Sequence, residues 1–332
     1  MSKKRNNEFQ RNLEQQVTDR LRSKLAIGES KHNDKLNKVD TTQKIYSWGS
    51  YHTYHKQCKA FVKWIKSAHP EATNLQKAKK YITEYLTKQI DKGCSAWTVH
   101  TQQQSLNKLY GIRKGDKNFF ECPKRERVNI IRSRYERDSD SHYSLKNNYE
   151  LTEFCRSTGL RRSEITKLQG NDVVTRHQLE KRAEKNNPPK IAKMIKDALN
   201  FPQNYEYFVF VKCGKGGRAR LAPIIGAKSK AIYDKIKNTP KNKPVFEHIH
   251  SKADIHSYRS DYATTLYNET ARPIDTIPYD KVTKSGHKVQ SEVYHCRREQ
   301  AGIHLDRRAM LYTSKALGHN RLEIVANNYI RY

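Results

Sequence analysis

The sequence lacks any apolar run of the roughly 20 residues that a membrane-spanning helix requires. Its first residues, 1–7, are charged and polar, and no apolar stretch of the kind found in a secretory signal follows them. The mean hydropathy is −0.99. These absences predict a cytoplasmic protein that has no membrane partner.

Cysteine is sparse and shows no pairing pattern. No CxxC pair and no zinc-ligand spacing occurs among the six cysteines, which are Cys58, Cys94, Cys122, Cys155, Cys213 and Cys296. They are typical of reduced thiols. The fourteen histidines offer His52 with His55 and His295 beside Cys296, but no second ligand cluster accompanies either pair. Packed or solvated histidines are therefore favoured over a metal site, and no cofactor is expected.

Acidic residues are far fewer than basic ones. Aspartate and glutamate total 34 against 65 lysines and arginines, so the formal net charge is +31. The strong positive electrostatic field that this charge creates predicts a polyanionic partner. A basic tail that only keeps the protein soluble is the alternative, but the basic residues run through the whole length of the chain. We therefore expect nucleic acid as the partner.

The N-terminal region shows one narrow apolar seam, formed at four-residue steps by Phe9, Leu13, Val17, Leu21 and Leu25. This spacing predicts a helix that ends at Gly28. Residues 29–43 are polar and unpatterned, which indicates a linker. We interpret residues 1–43 as an amphipathic helix and linker. The helix either folds back on the following domain or reaches a neighbouring protomer, because its apolar face must be buried somewhere.

Three helical patterns follow, at residues 44–67, 75–92 and 96–110. Pro70 and Gly93 mark the breaks between them, and Asn74 and Ser95 are the expected N-caps. Together they predict a compact helical domain of residues 44–112. Its aromatic residues recur at helical spacing, which favours a core over a base-stacking platform.

The strongest strand signals in the chain are residues 207–212 and 220–225, joined by a glycine-rich turn. They predict an antiparallel hairpin. A polar linker at 113–144 precedes this region, and a helical pattern begins at 145–158. The predicted fold class is therefore mainly α with a small antiparallel β-sheet, in which an α+β domain of residues 145–332 follows the helical domain. Two polar excursions, 175–204 and 271–304, interrupt that second domain.

Four short stretches carry residues suited to phosphate chemistry, namely TGLRRSE at 158–164, GKGGR at 214–218, HSYR at 256–259 and LGH at 317–319 followed by Tyr329. Spacing of i, i+3 places Arg161 with Glu164, and His256 with Arg259, on one helix face each. Taken singly, these stretches are more simply an ion pair or a basic turn. Together they supply two arginines, a lysine, two histidines and a tyrosine, without the aspartate cluster that holds magnesium.

These arginine, lysine, histidine and tyrosine residues are the groups that attack on a phosphodiester without a metal requires. Guanidinium groups stay charged and match the geometry of the non-bridging oxygens. A lysine or histidine can protonate the leaving 5′ oxygen, and a tyrosine can conserve the bond energy in a covalent intermediate.

The order of these four stretches and the residues in them resemble the motifs of the tyrosine recombinase (phage integrase) family. TGLRRSE resembles its first arginine box, the KGG turn its lysine hairpin, HSYR its HxxR box, and LGHNR with Tyr329 its terminal histidine and tyrosine. The resemblance covers most of residues 145–332. Residues 44–112 look more loosely like the family's SAM-like core-binding domain, which binds DNA.

The resemblance implies a role for each matching residue. Arg161 and Arg259 would clamp the scissile phosphate, and Lys215 would protonate the leaving oxygen. The other implied roles are hydrogen bonds to phosphate from His256 and His319, orientation of Arg161 or His256 by Glu164, and nucleophilic attack by Tyr329. Arg162 is the alternative to Arg161, although only the arginine directly after Gly-Leu matches the motif.

Three features depart from the family pattern. The interval from Arg259 to His319 is long, so 271–304 is interpreted as an insertion. The step from His319 to Tyr329 is one residue longer than the commonest form, which leaves room for Tyr332. The sequence ends three residues after Tyr329, so we expect no exchanged C-terminal helix and look to the N-terminal seam or the insertion for assembly.

The implied activity is site-specific recombination of a mobile element through a 3′-phosphotyrosyl intermediate, on double-stranded DNA sites held by four protomers. An accessory directionality factor is a possible further partner. Two rival functions remain, a type IB topoisomerase that reseals the same strand and a DNA-binding regulator of the same fold without the chemistry.

Overall fold

The computed structural model describes residues 12–126, 129, 143–214, 217–319 and 321–331. The chain divides into two compact units, residues 1–126 and 127–332. Among the residues described, none of the helices combines the length and the apolar character needed to cross a membrane.

The first unit is helical in the part that the structure describes. Its helices are α1 (Leu13–Arg22), α2 (Lys31–Leu36), α3 (Trp48–Ala68), α4 (Leu75–Ala78), α5 (Ile82–Asp91) and α6 (Ala96–Tyr110). The predicted pattern at 75–92 is divided by a single 3-10 turn between α4 and α5. Both expected N-caps are confirmed, because Asn74 accepts from the Lys77 amide at 2.9 Å and Ser95 from the Thr98 amide at 3.3 Å.

Aromatic side chains fill much of the core of this unit, as their spacing predicts, although Trp48 is 54% exposed. Phe61 is fully buried and meets the ring of Tyr85 edge to face, with 5.2 Å between the centroids. Tyr51 is also buried, and Trp64 packs against the same cluster. These rings therefore lie in the interior of the unit, where pairs of aromatic rings contribute packing energy beyond the area that they bury.

The N-terminal seam packs inside its own unit. Leu13, Val17 and Leu21 are buried in the same core as the aromatic cluster, and Leu25 packs against it. Phe9 lies outside the described residues. The structure therefore shows that the helix folds back on the domain that follows it. The alternative hypothesis, that the helix reaches a neighbouring protomer, is wrong.

Residues 29–43, expected to be a plain linker, contain the helix α2, capped by Ser30. None of the α2 side chains is buried, which explains why periodicity did not reveal it. The segment ends where Ile45 exchanges backbone hydrogen bonds with Lys24 and Ala26, at 2.8 and 2.9 Å. These bonds tie the end of the expected linker back to the residues that follow α1.

The second unit combines helices with short strands. Its described helices are α7 (Tyr149–Thr158), α8 (Arg162–Ile165), α9 (Arg176–Ala183), α10 (Pro189–Leu199), α11 (Ser229–Asn238), α12 (Ile255–Thr270), α13 (Arg307–Leu317) and α14 (Leu322–Asn328). Its strands are β1 (Val173–Thr175), β2 (Tyr207–Val211), β3 (Arg220–Pro223), β4 (Lys281–Val282), β5 (Lys288–Val289), β6 (Val293–His295) and β7 (His304–Asp306). The predicted fold class is thus confirmed.

The predicted hairpin is confirmed as β2 and β3, and β1 adds a third antiparallel strand on the far side of β2. Side chains alternate across the sheet. Val209 and Val211 face the core that includes α11, whereas Phe208 belongs to the core shared with α10 and α13. The short β1 escaped the sequence analysis because three residues give too little alternation to recognise.

The polar excursion at 175–204 folds into the helices α9 and α10. Their buried stripe is narrow, consisting of Leu179, Ile195 and Ala198 beside the buried Arg176. Arg176 donates to the carbonyl oxygens of Phe201 and Pro202 at 3.0 and 2.7 Å. A buried arginine thereby satisfies carbonyls just past the C-terminus of α10, where intrahelical partners are missing.

The excursion at 271–304 folds into two small hairpins, β4 with β5 and β6 with β7. Its first residues are fixed by Arg272, which donates through Nε and Nη2 to the two carboxylate oxygens of Asp306, each at 2.9 Å. Asp306 is fully buried and also caps α13 through the Arg308 amide at 2.8 Å. The excursion is therefore anchored at both ends.

Replacing Leu21 tests whether α1 belongs to the first unit. Leu21→Ala should lower the free energy of unfolding by about 2–5 kcal/mol, because the side chain is fully buried and leaves a cavity. All three tryptophans lie in this unit, at positions 48, 64 and 97, so tryptophan fluorescence during urea unfolding reports on it.

The matched control is Leu36→Ala on α2, where the leucine is 67% exposed. It should change the stability by no more than about 0.5 kcal/mol. Equal effects of the two substitutions would show that α1 does not pack in this core.

Candidate active site

A cavity of about 310 Å³ lies between α8 and the start of α12, and Arg161, His256 and Arg259 are among its lining residues. The backbone reaches it through Gly159, which ends α7 with φ of 59°. A Cβ at Gly159 would lie 2.3 Å from a ring carbon of Tyr262. Only glycine therefore fits here, and Arg161 follows directly as the N-cap of α8.

The buried carboxylate of Glu164 is the centre of the site. Arg161 donates to it from its backbone amide at 2.9 Å and from Nη1 at 2.7 Å. Arg220, on β3, donates two hydrogen bonds to the same carboxylate, from Nη1 at 3.0 Å and from Nη2 at 2.8 Å. A third arginine, Arg259, has its Nη1 4.0 Å away. One carboxylate thus organises three guanidinium groups.

Burial acts to raise the pKa of Glu164, because it disfavours the charged form. The hydrogen bonds and charge of Arg220, with the Arg161 amide and the charge of Arg259, outweigh burial and lower this pKa to about 2. Glu164 is therefore ionised at neutral pH.

Arg259 is only 1% exposed. It donates to the carbonyl of Gly159 and, at 2.5 Å, to the carbonyl of Leu317. Its Nε has no hydrogen-bond partner among the described residues. Burial lowers the pKa of Arg259 to about 10, so the group still carries its positive charge at neutral pH.

Tyr329 caps the C-terminus of α14 and is 7% exposed. The guanidinium carbon of Arg259 lies 5.3 Å from the centre of its ring. The ring centroids of His319 and His256 lie 5.2 and 6.4 Å from that of Tyr329. The tyrosine is thus surrounded by one arginine and two histidines.

The segment after Tyr329 is fastened to α12, the helix that carries His256 and Arg259. The Arg331 amide donates to Thr264 at 3.0 Å, and its side chain pairs with Asp261 at 2.5 Å and donates to the hydroxyl of Ser257 at 2.7 Å. The position of the tyrosine is therefore set from both sides, by α14 before it and by α12 after it.

The structure brings together six of the residues singled out in the sequence, namely Arg161, Glu164, His256, Arg259, His319 and Tyr329. Lys215 and Tyr332 lie outside the described residues. The turn that carries Lys215 nevertheless starts at the site, since a Cβ on Gly214 would lie 3.3 Å from Glu164 Oε1. Within the described ranges, no three histidine, cysteine, aspartate or glutamate residues form a group that could share a metal ion.

Arg161 and Arg162 make different contacts. The guanidinium group of Arg162 donates hydrogen bonds to backbone carbonyls of the segment before α12, including those of His250 at 3.1 Å and Ala253 at 2.8 Å. Arg161 instead pairs with Glu164. Arg162 therefore holds a loop in place, and these contacts favour Arg161 as the arginine that serves the candidate site.

Arg220 is the residue that the sequence analysis missed. It is 7% exposed, binds Glu164 with two hydrogen bonds and donates from Nε to the carbonyl of Ala316 at 2.8 Å. The available signal was an arginine within a strand predicted to be largely apolar. Such a charge is kept in a buried strand only with a charged partner.

No protein-family model and no curated protein sequence matches the chain. Solved structures similar to it include the XerH site-specific recombinase bound to a palindromic difH substrate, at 14% identity, 96% coverage of this chain, 91% of that chain and a TM-score of 0.49. The Tn1549 transposon integrase in complex with circular intermediate DNA is another, at 13% identity, 96% and 95% coverage and a TM-score of 0.45.

The lowered pKa of Glu164 predicts how stability depends on pH. Its pKa falls from the ordinary 4.5 to about 2 on folding, so the ionised group stabilises the folded state fully above pH 4.5. This contribution is lost as the pH falls through 2. Glu164→Gln should cost about 3–5 kcal/mol near neutral pH, because it leaves buried arginines without a counter-charge.

The measurement is the free energy of unfolding between pH 2 and neutral pH, with unfolding monitored by circular dichroism. The difference between wild type and Glu164→Gln should shrink below pH 4.5. Glu150→Gln is the control, since Glu150 pairs with Lys235 but is 69% exposed, and it should have little effect. A difference that does not change with pH would contradict the assignment of this charge network.

Proposed function

We propose that this chain is a metal-independent DNA strand transferase of the tyrosine recombinase type. The observation that carries the proposal is the buried Tyr329, surrounded by Arg259, His256 and His319, with Arg161 in the adjoining cavity. These are the groups needed to attack a phosphodiester and to stabilise the charge that develops on its oxygens.

In the proposed step, Tyr329 gives its hydroxyl proton to solvent, its oxygen forms a bond to the scissile phosphorus, and the bond from phosphorus to the 5′ oxygen breaks. Arg161 and Arg259 neutralise the non-bridging oxygens, and His256 and His319 donate hydrogen bonds to them. Lys215 gives its proton to the leaving oxygen. A free 5′-hydroxyl then returns a proton to Lys215 and attacks the phosphorus of the 3′-phosphotyrosyl link, which rejoins the DNA. The tyrosine oxygen leaves and takes a proton from solvent.

The buried Nε of Arg259 supports an anionic ligand. A buried donor without an acceptor costs about 1–3 kcal/mol, which an arriving acceptor can recover. The net charge of +31 supports a polyanion over a small phosphate ester. We therefore propose double-stranded DNA sites as the substrate and residues 44–112 as the core-binding domain that helps to grip them.

The finer proposal is integration or excision of a mobile element by four protomers on two synapsed sites, with an accessory factor setting direction. Recombination and topoisomerase activity share the cleavage step, so the products must separate them. A labelled strand that appears joined to a second duplex indicates recombination. Relaxed plasmid without exchange between duplexes would indicate a topoisomerase.

The nucleophile can be identified with a suicide substrate, nicked beside the scissile phosphate and built from DNA that flanks the gene. Tyr329→Phe should abolish the covalent protein–DNA adduct and leave DNA binding intact, because only one hydroxyl is removed. Tyr332→Phe should retain the adduct. DNA found on Tyr332 by peptide mapping would overturn the assignment.

The acid can be identified in the same assay. Lys215→Ala should slow cleavage by roughly 10²- to 10⁴-fold, the usual effect of losing a general acid. A 5′-bridging sulfur, a leaving group that needs no proton, should restore the rate of this variant. Cleavage should also persist in excess EDTA.

Lys241→Ala, which removes the same charge from an exposed turn, is the control and should cleave at the wild-type rate. If sulfur does not rescue Lys215→Ala, the proton comes from another residue.

A further inference from the structure

The connection between β1 and β2 is far longer than the sheet requires. These strands are antiparallel neighbours, and such strands can be joined by a two-residue turn. Here residues 176–206 intervene and include α9 and α10. This connection places α10 beside β3 and α13.

A cleft lies between α10 and the β2–β3 hairpin. It consists of two adjoining cavities of about 750 and 190 Å³, which share Lys190, Lys193, Met194 and Arg218 among their lining residues. The larger cavity has an apolar floor that includes Ile191, Leu179, Leu221 and the ring of Phe210.

The smaller cavity leads to the active site, since Arg220 and His319 line it. The cleft is therefore continuous with the groups that surround Tyr329.

The rim of the cleft carries an excess of positive charge. Lys190, Lys193, Arg218 and Lys315 line the smaller cavity, and Asp197 is the one carboxylate among its described lining residues. Asp197 is shared between Lys193 at 3.1 Å and Lys315 at 2.9 Å. One anion cannot neutralise four cations held so close together. The cleft therefore favours an anionic ligand.

A ligand for this cleft must combine an anionic edge with flat apolar groups. Unpaired DNA does so, because its phosphates are anionic and its bases stack on aromatic rings. Bases that are paired and stacked inside a double helix cannot enter this cavity of about 750 Å³, whereas an unpaired base can.

We propose that the cleft between α10 and β3 binds an unpaired segment of DNA next to the cleaved phosphate. Its bases enter the apolar cavity and its phosphates lie on the lysines and Arg218. The proposal rests on the function proposed above, because strand exchange requires nucleotides beside the cut to leave their duplex.

The test uses the full chain with a labelled oligonucleotide of about ten nucleotides, a length within the usual range of single-strand sites, and the same sequence as a duplex. Lys190→Ala with Lys193→Ala should weaken single-strand binding about tenfold. The slope of log affinity against log salt should fall by about 1.4, which is about 0.7 for each lost phosphate contact. Binding of the duplex should change by less than twofold.

The matched control is Lys230→Ala with Lys237→Ala on α11, which packs on the opposite face of the sheet. It removes the same charge and should affect both forms of DNA equally.

A second variant tests the floor without changing charge. Phe210→Leu should weaken single-strand binding about tenfold and leave the salt slope unchanged, because it removes a stacking surface and no cation. Thermal melting checks that the variant remains folded.

Adduct formation on the suicide substrate is measured in parallel. If the wild type forms the adduct but the cleft variants bind single strands as the control does, this inference is wrong and the proposed function stands. Competition by an acidic peptide and not by single-stranded DNA would also overturn it. If the wild type forms no adduct, the proposed function fails, whichever DNA the cleft binds.

Discussion

The carboxylate of Glu164 links the parts of the candidate site that come from distant positions in the sequence. It accepts hydrogen bonds from Arg161 at the start of α8 and from Arg220 on β3, and it lies 4.0 Å from Arg259 on α12. Three buried or half-buried guanidinium groups would repel one another without it. The strand and the two helices that carry these arginines therefore depend on one negative charge for their relative positions.

Helix ends supply the rest of the counter-charge. The carbonyl of Leu317, in the last turn of α13, accepts from both Arg161 and Arg259, and the neighbouring Ala316 carbonyl accepts from Arg220. The last carbonyls of a helix lack intrahelical partners and carry partial negative charge. The fold thereby holds three cations close together around the carboxylate of Glu164, which leaves them a net positive field for an anion.

Local patterns predicted much of this protein. Helical spacing predicted α3 and α6 and their aromatic core, and the caps Asn74 and Ser95 followed from residue type alone. The i, i+3 pairs and the family resemblance indicated the site residues, six of which the structure places together.

What the sequence could not predict depends on contacts between distant residues. The seam of α1 could be buried in two ways, and only the fold shows that it packs beneath α3. Arg220 looked like one more basic residue because its partner, Glu164, is far away in the sequence. The helices α9 and α10 were missed since few of their residues are buried.

The attachment of Arg331 to α12 has a consequence for how far Tyr329 can move. The tyrosine sits in the site of its own chain, between α14 and an ion pair on the helix that carries His256 and Arg259. In this arrangement the tyrosine and the groups that surround it belong to the same chain. Moving Tyr329 away from Arg259 would require the short segment between α14 and Arg331 to shift, which makes the contact with Asp261 a natural point of restraint.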